Sequence, residues 1–197
     1  MPYRNSIGVV VLAAELLSGS IPQAVSLGTG ANVNAIFNDG SAVTNGGLDF
    51  HSQAYSGKLL GRSLKFSGVS YNLLGPGVPD AVRGATVALP AGHFSTLNLL
   101  AASVNGNHAS QTFTVTYTDG STTIISQSLS DWYTPQHYSG ESIALTMAYH
   151  LDPAGAAIHP PVCLYAYSLA IDNAKAVKSV TLPATLNVVV LAATLTP

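Results

Sequence analysis

Charge is the first property that this sequence lacks. Of 197 residues, seven are Lys or Arg and nine are Asp or Glu, so 8% are charged and the formal net charge is −2. An ordinary soluble domain carries about 25% charged residues. Seven scattered basic residues cannot form the patch that neutralises phosphates, which argues against nucleic-acid binding. So few Glu, Lys and Arg also argue against a coiled coil or a helical bundle.

Cysteine and long apolar runs are scarce as well. The single cysteine, Cys163, rules out an intrachain disulfide and lies in an apolar run that indicates a buried position. No apolar run approaches the ~20 residues of a membrane span, so no membrane partner is expected. Residues 1–20 loosely resemble a secretory signal, but Glu15 interrupts their apolar stretch. We interpret residues 1–20 as an N-terminal extension or the remnant of a preceding segment, and residues 21–197 as a single domain.

The sequence consists mainly of neutral polar and apolar residues. Hydrophobic residues make up 47% of the chain, and 21 Ser and 16 Thr supply much of its polarity. The length suits one domain with a substantial core. Such a composition excludes intrinsic disorder and favours a compact all-β protein whose surface is rich in hydroxyls. It also suits a secreted, extracellular protein.

The clearest local pattern is a β-hairpin. Residues 112–118 alternate strictly and place Phe113, Val115 and Tyr117 on one face, with threonines on the other. Asp119 and Gly120 follow, a pair that favours a two-residue hairpin turn with positive φ, and residues 121–128 then return. This pattern predicts two adjacent antiparallel strands.

Strand-like runs recur along the rest of the chain between turn signals. They predict strands at 32–37, 63–66, 69–73, 85–89, 96–103, 164–171, 179–182 and 186–193. A short helix is expected near 56–60, and residues 40–62 and 132–161 are expected to be long and irregular. The fold class predicted is therefore an all-β antiparallel β-sandwich of jelly-roll type with few short helices.

Several motifs occur in the order found in a known family. They are Ala-Ile-Phe-Asn-Asp-Gly at 35–40, the Gly-rich stretch at 46–50, residues 75–82, the hairpin at 116–121, Ser-Asp-Trp at 130–132 and the closing run at 178–183. Over residues 31–195 the chain resembles the galactose-binding-like jelly-roll domain at the C-terminal end of many bacterial glycoside hydrolases. The resemblance implies an accessory domain that binds carbohydrate or packs against a catalytic domain, in some cases with a structural Ca²⁺.

Aromatic and hydrogen-bonding residues concentrate between positions 132 and 152. Flat aromatic faces and neutral polar groups are what an uncharged glycan needs, so this segment is the predicted ligand-binding site. A buried core position is the favoured interpretation for Trp132, because lone tryptophans are usually highly buried. The predicted ligand-binding residues are Trp132, Tyr133, His137, Tyr138, Tyr149, His150 and Asp152.

Catalytic and metal-binding interpretations remain open beside this one. In an enzyme, acid–base groups would come from Asp131, Glu141, His137 or His150, although Asp131 is more readily explained as a cap of its loop. The sequence has no Gly-x-Ser-x-Gly elbow and no phosphate-binding Gly-rich loop. Asp39 and Asp49 could supply oxygen ligands to Ca²⁺, a site that the resemblance favours. His137, His150 and His159 match no compact metal motif.

The leading functional hypothesis is a noncatalytic accessory module that recognises a neutral polysaccharide or oligosaccharide through aromatic loops. One alternative is a small glycan-active enzyme that uses the same loops. Another is a structural domain that docks on a catalytic partner. Self-association is also expected, because so little charge keeps two copies apart.

Overall fold

The fold is described by a computed structural model, which covers residues 21–197 here. The interpretation of residues 1–20 as an extension lies outside the described residues. The strands are β1 (Gln23–Val25), β2 (Ile36–Phe37), β3 (Tyr55–Ser56), β4 (Ser63–Phe66), β5 (Val69–Asn72), β6 (Thr86–Ala88), β7 (Thr96–Ser103), β8 (His108–Tyr117), β9 (Thr122–Leu129), β10 (Glu141–Met147), β11 (His150–Leu151), β12 (Ala157–Ile158), β13 (Val162–Ala170), β14 (Val177–Thr181) and β15 (Val188–Thr196). The one short helix among the described residues, α1, spans Gly57–Leu60.

Two antiparallel sheets form the body of the domain. The five-stranded sheet has the order β1-β15-β7-β13-β10, and the four-stranded sheet has the order β6-β14-β8-β9. Apolar residues of both sheets belong to one buried cluster, including Leu97 and Leu99 of β7 and Phe113 and Val115 of β8. The predicted all-β antiparallel sandwich is confirmed. No helix within residues 21–197 has the length and apolar character needed to cross a membrane.

The hairpin of β8 and β9 is confirmed, with a longer turn than the sequence suggested. Tyr117 N donates to Ser121 O, and Gly120 N donates to Tyr117 O. Gly120 has a φ of 84°, a left-handed backbone conformation that the absence of a Cβ permits. Asp119 keeps a negative φ, so the turn uses three residues rather than two. The Asp119 carboxylate accepts from the N–H and the hydroxyl of Ser121 and holds the turn closed.

The central strands of the five-stranded sheet, β7, β13 and β15, are largely buried on both faces. Every residue of β15 except Thr196 is buried, and β7 is buried from Leu97 onward. One face packs on the four-stranded sheet. The other lies beneath a covering layer, defined here as residues 33–82, which contains β2 to β5 and α1. Thr194 on β15 donates its hydroxyl to Ser70 O in this layer at 2.8 Å. Long apolar runs in β7, β13 and β15 follow from this double burial.

Two expectations about local structure were wrong. The predicted strand at 32–37 is reduced to β2, because Asp80 takes the N–H groups of Ala35 and Ile36 that a longer strand would use. The segment 132–161 is not irregular throughout, since β10 occupies its centre. A register shift between Ile143 and Leu145 breaks the alternation of β10, which hides this strand from a pattern search.

Candidate functional site

Trp132 lies in the core, as the buried interpretation predicted. Its side chain is 1% exposed, and its ring meets the rings of Tyr55, Tyr133 and His150 edge to face at 4.8–5.4 Å between centroids. The indole is buried among these rings and has no face exposed for stacking on a sugar, and a ligand-binding role for Trp132 stays a prediction. The aromatic character of this segment thus reflects core packing around Trp132.

Tyr133 and His150 form a hydrogen-bonded pair next to this tryptophan. The Tyr133 hydroxyl donates to Oε1 of Gln53 at 2.8 Å, and its oxygen lies 2.8 Å from Nε2 of His150. Because Tyr133 has one proton to give, Nε2 of His150 acts as the donor. His150 is 1% exposed, and burial lowers the pKa of its imidazole, so the ring is neutral. His150 therefore offers no accessible acid–base group.

The two carboxylates predicted as acid–base groups, Asp131 and Glu141, accept hydrogen bonds from other groups of the protein. Asp131 accepts from the N–H groups of Gly106 and Tyr133 at 2.7 and 2.9 Å, which makes it a loop cap. Glu141 accepts from the N–H and hydroxyl of Ser130 and from the hydroxyl of Tyr167. Burial and this bond to Glu141 raise the pKa of Tyr167 far above its ordinary value. These contacts fasten the start of β10 to the adjoining loop.

The remaining predicted residues are dispersed. His137 is exposed with a φ of 56°, and Tyr138 is half-buried. Tyr149 donates its hydroxyl to Asp39 at 2.6 Å, and Asp152 accepts from two N–H groups of its own turn. The predicted loop cluster is therefore a set of separate hydrogen-bonded contacts around a buried centre.

The carboxylates suggested for calcium are also engaged. Asp39 accepts from Tyr149 and Ser56, and Asp49 accepts from the N–H groups of His51 and Gln53. Within residues 21–197, no three His, Cys, Asp or Glu side chains come together as a potential metal site. Calcium at Asp39 and Asp49 stays a prediction from the family resemblance.

A different site lies on the outer face of the five-stranded sheet, where the covering layer stops. It is an open groove of about 280 Å³, called here the sheet groove. One wall comes from the β4–β5 hairpin and presents Phe66, Val69 and Tyr71. Phe66 and Val69 are half-buried, so part of their apolar surface faces the groove.

The floor of the sheet groove is neutral and polar. It crosses four strands and includes Thr196 of β15, Asn98 of β7, Ser168 of β13 and Ser142 of β10. The register explains this row, since Asn98 is directly opposite Ser168 on β13. Ser168 donates to Oδ1 of Asn98 at 3.0 Å, and Nδ2 of Asn98 donates to Oγ1 of Thr196 at 3.0 Å. The floor is thus a pre-aligned chain of amide and hydroxyl groups.

Tyr71 adds a polar end to the apolar wall. Its side chain is 2% exposed, and burial raises the pKa of its hydroxyl to about 12, so the hydroxyl stays protonated. No hydrogen bond joins that hydroxyl to another residue within 21–197, and Tyr71 lines the groove. The hydroxyl oxygen is not one of the buried polar atoms without a partner, so it reaches the surface of the groove and is available to a ligand.

The sheet groove was not predicted from the sequence. Its wall and floor come from residues between 66 and 196, which only the sheet register brings together. The one signal present in the sequence is a polar residue inside an otherwise apolar strand. Asn98 lies between Leu97 and Leu99, and Ser168 follows six buried residues of β13. At the groove, these interruptions coincide with the part of the sheet that the covering layer leaves open.

Fold and groove together define a β-sandwich domain with a neutral surface cleft. The chain belongs to the AziU2-like beta-sandwich domain family, whose family model matches residues 23–197. A comparison with curated proteins finds none that matches this chain.

Proposed function

We propose that this domain is a noncatalytic module that binds a neutral, hydroxyl-rich glycan in the sheet groove. The observation that supports it most is the lining of the groove, which joins an apolar wall to a floor of hydroxyl and amide groups. A pyranose ring needs both, because its C–H faces pack on apolar side chains and its hydroxyls need donors and acceptors. The proposed binding site is therefore on the outer face of the five-stranded sheet and not in the 132–152 loops that the sequence predicted.

The absence of charge in the groove selects the class of glycan. None of the side chains that line it is an Asp, Glu, Lys, Arg or His. A charged sugar would lose its hydration there without gaining an ion pair, which disfavours acidic polysaccharides. The same lining supplies no general acid or base, which supports binding without turnover.

The size of the groove fits a short stretch of chain. About 280 Å³ is at the small end of ligand sites, which span roughly 300–1,000 Å³. Because the groove is open, a polysaccharide could lay one or two rings in it and continue past both ends. The likeness to galactose-binding-like accessory domains and the low charge of the whole chain support the same proposal for a secreted protein.

The test is retention of the protein on a panel of neutral and acidic polysaccharides, with variants inside and outside the groove. Ser168→Trp places a large ring on the groove floor. Ser179→Trp places the same ring on the outer face of the four-stranded sheet and is the matched control. We expect the wild type and Ser179→Trp to be retained on a neutral polysaccharide, and Ser168→Trp to bind at least tenfold more weakly at an unchanged melting temperature.

A finer variant removes one atom. Tyr71→Phe deletes only the unpaired hydroxyl, and loss of one neutral hydrogen bond of about 0.5–1.5 kcal/mol lowers affinity roughly 2- to 13-fold. Equal retention of Ser168→Trp and wild type would overturn the proposal, as would a wild type that no neutral polysaccharide retains. Loss of binding in Tyr138→Ala alone would return the site to the 132–152 loops.

A further inference from the structure

Strand β9 forms a free edge of the four-stranded sheet. The order β6-β14-β8-β9 gives it one partner, β8, and no second strand pairs with it within residues 21–197. Its sequence, Thr-Thr-Ile-Ile-Ser-Gln-Ser-Leu, contains no charged residue, no proline and no glycine. Proteins usually protect such an edge with lysine, proline, a bulge or a cover, because unpaired N–H and C=O groups recruit other strands. Between residues 122 and 126, β9 has none of these.

The hydrogen bonds of the hairpin show which backbone groups of β9 point outward. Tyr117 N donates to Ser121 O, which makes 117 and 121 a hydrogen-bonded pair. Hydrogen-bonded and non-bonded pairs alternate along an antiparallel ladder. Residues 123, 125 and 127 therefore bond to β8, in the register Thr123 opposite Val115. The N–H and C=O groups of 122, 124 and 126 point away from the sheet.

The exposed part of this edge is short and self-complementary. Ile124 is 72% exposed, although it is a large apolar side chain. Beyond Ser126 the strand is shielded, since Nε2 of Gln127 donates to the carbonyls of Ser128 and Ser139. The edge open to a partner is thus residues 122–126, with Ile124 at its centre.

We propose that a second copy of this chain pairs with β9 in antiparallel fashion, about a two-fold axis at Ile124. That register places Ile124 opposite its own copy and Thr122 opposite Ser126 in both directions. All three facing pairs use outward N–H and C=O groups, so the two four-stranded sheets join into one. The facing side chains are neutral, which avoids the like-charge repulsion that would weaken such a ladder. The interface is isologous and closes after two copies.

A second copy fits better than an unrelated strand because residues 122–126 are complementary to an antiparallel copy of themselves. Its centre is an exposed isoleucine that packs on an identical isoleucine, and its ends are hydroxyl residues that face each other. The proposal does not depend on glycan binding, since the sheet groove lies on the other sheet and stays open in the dimer.

The experiment is sedimentation equilibrium of the full chain over a hundredfold concentration range. Ile124→Pro removes one outward N–H and leaves the bonds to β8 in place, a position where edge strands tolerate proline. Ile124→Lys tests the same edge with a charge and covers the case in which the proline variant does not fold. Thr114→Lys, directly opposite Ile124 on β8, places the same charge on the same face one strand inward.

We expect a concentration-dependent dimer for the wild type and for Thr114→Lys. Both Ile124 variants should dissociate at least tenfold more readily. A wild type that remains a monomer at the highest concentration would overturn the proposal. A dimer that survives both Ile124 variants would also overturn it. So would a dimer that Thr114→Lys breaks as strongly as Ile124→Lys, because the two copies would then contact each other through the outer face of the four-stranded sheet rather than through the edge of β9.

Discussion

The two sheets of this domain differ both in residue pattern and in what covers them. In the five-stranded sheet, β15 is buried on both faces, because the covering layer lies on its outer side. In the four-stranded sheet, β8 alternates between buried residues such as Val115 and half-buried threonines such as Thr116. Each proposed interaction lies where a sheet is left uncovered. The sheet groove opens beside the covering layer, and the free edge of β9 belongs to the sheet that has no such layer among residues 21–197.

The largest expected difference between the two regions is in stability. Trp132→Ala should lower the free energy of unfolding by about 3–5 kcal/mol, because it removes a buried ring from the core. Thr114→Ala on the outer face of the four-stranded sheet should stay within about 0.5 kcal/mol of wild type. Urea denaturation of both variants measures the contrast. Similar losses at the two positions would show that the outer threonine face is not free.

The next expected effect is a pH dependence that arises in the covering layer. Asp80 is fully buried, and burial raises the pKa of its carboxyl from 3.8 to about 7, although two N–H groups bond to it. The folded protein therefore holds this proton more tightly than the unfolded chain. The contribution of Asp80 to the free energy of unfolding is fully present below about pH 4 and is lost as the pH rises to about 7. The free energy of unfolding changes by up to about 4 kcal/mol over this range.

Asp80→Asn is the variant that isolates this effect. His150 acts in the opposite direction, since its lowered pKa removes stability as the pH falls below its ordinary value of 6.5. The readout is therefore the difference between wild type and Asp80→Asn in the free energy of unfolding, measured from pH 4 to 8. The free energy of unfolding of the wild type should fall relative to that of Asp80→Asn as the pH rises. A constant difference would mean that Asp80 does not titrate in this range.

Much of the fold was accessible from the sequence because its signals are local. The β8–β9 hairpin follows from strict alternation, and α1 follows Ser56, whose hydroxyl accepts from Leu59 N as an N-cap. Strand β10 was missed because its bulge shifts the phase of the alternation. The length of β2 was overestimated because Asp80, 44 residues away from Ile36, takes its N–H.

The candidate site was less accessible for a physical reason. A cluster of aromatic residues in a sequence can indicate either a ligand-binding surface or a part of the core. Only the burial of the side chains distinguishes the two, and here Trp132 and His150 are both 1% exposed. The sheet groove depends on register, which aligns Asn98 with Ser168 across 70 residues of sequence. No local pattern carries that information.

Binding of a neutral glycan in the sheet groove can be tested by mapping it residue by residue. Backbone amide NMR shifts would be followed during titration with soluble neutral oligosaccharides of the gluco, manno, xylo and galacto series. We predict saturable changes in the β4–β5 hairpin and around Asn98 and Ser168, with none in β9. Changes confined to residues 132–152 or to the four-stranded sheet, or no change with any of these sugars, would contradict the account.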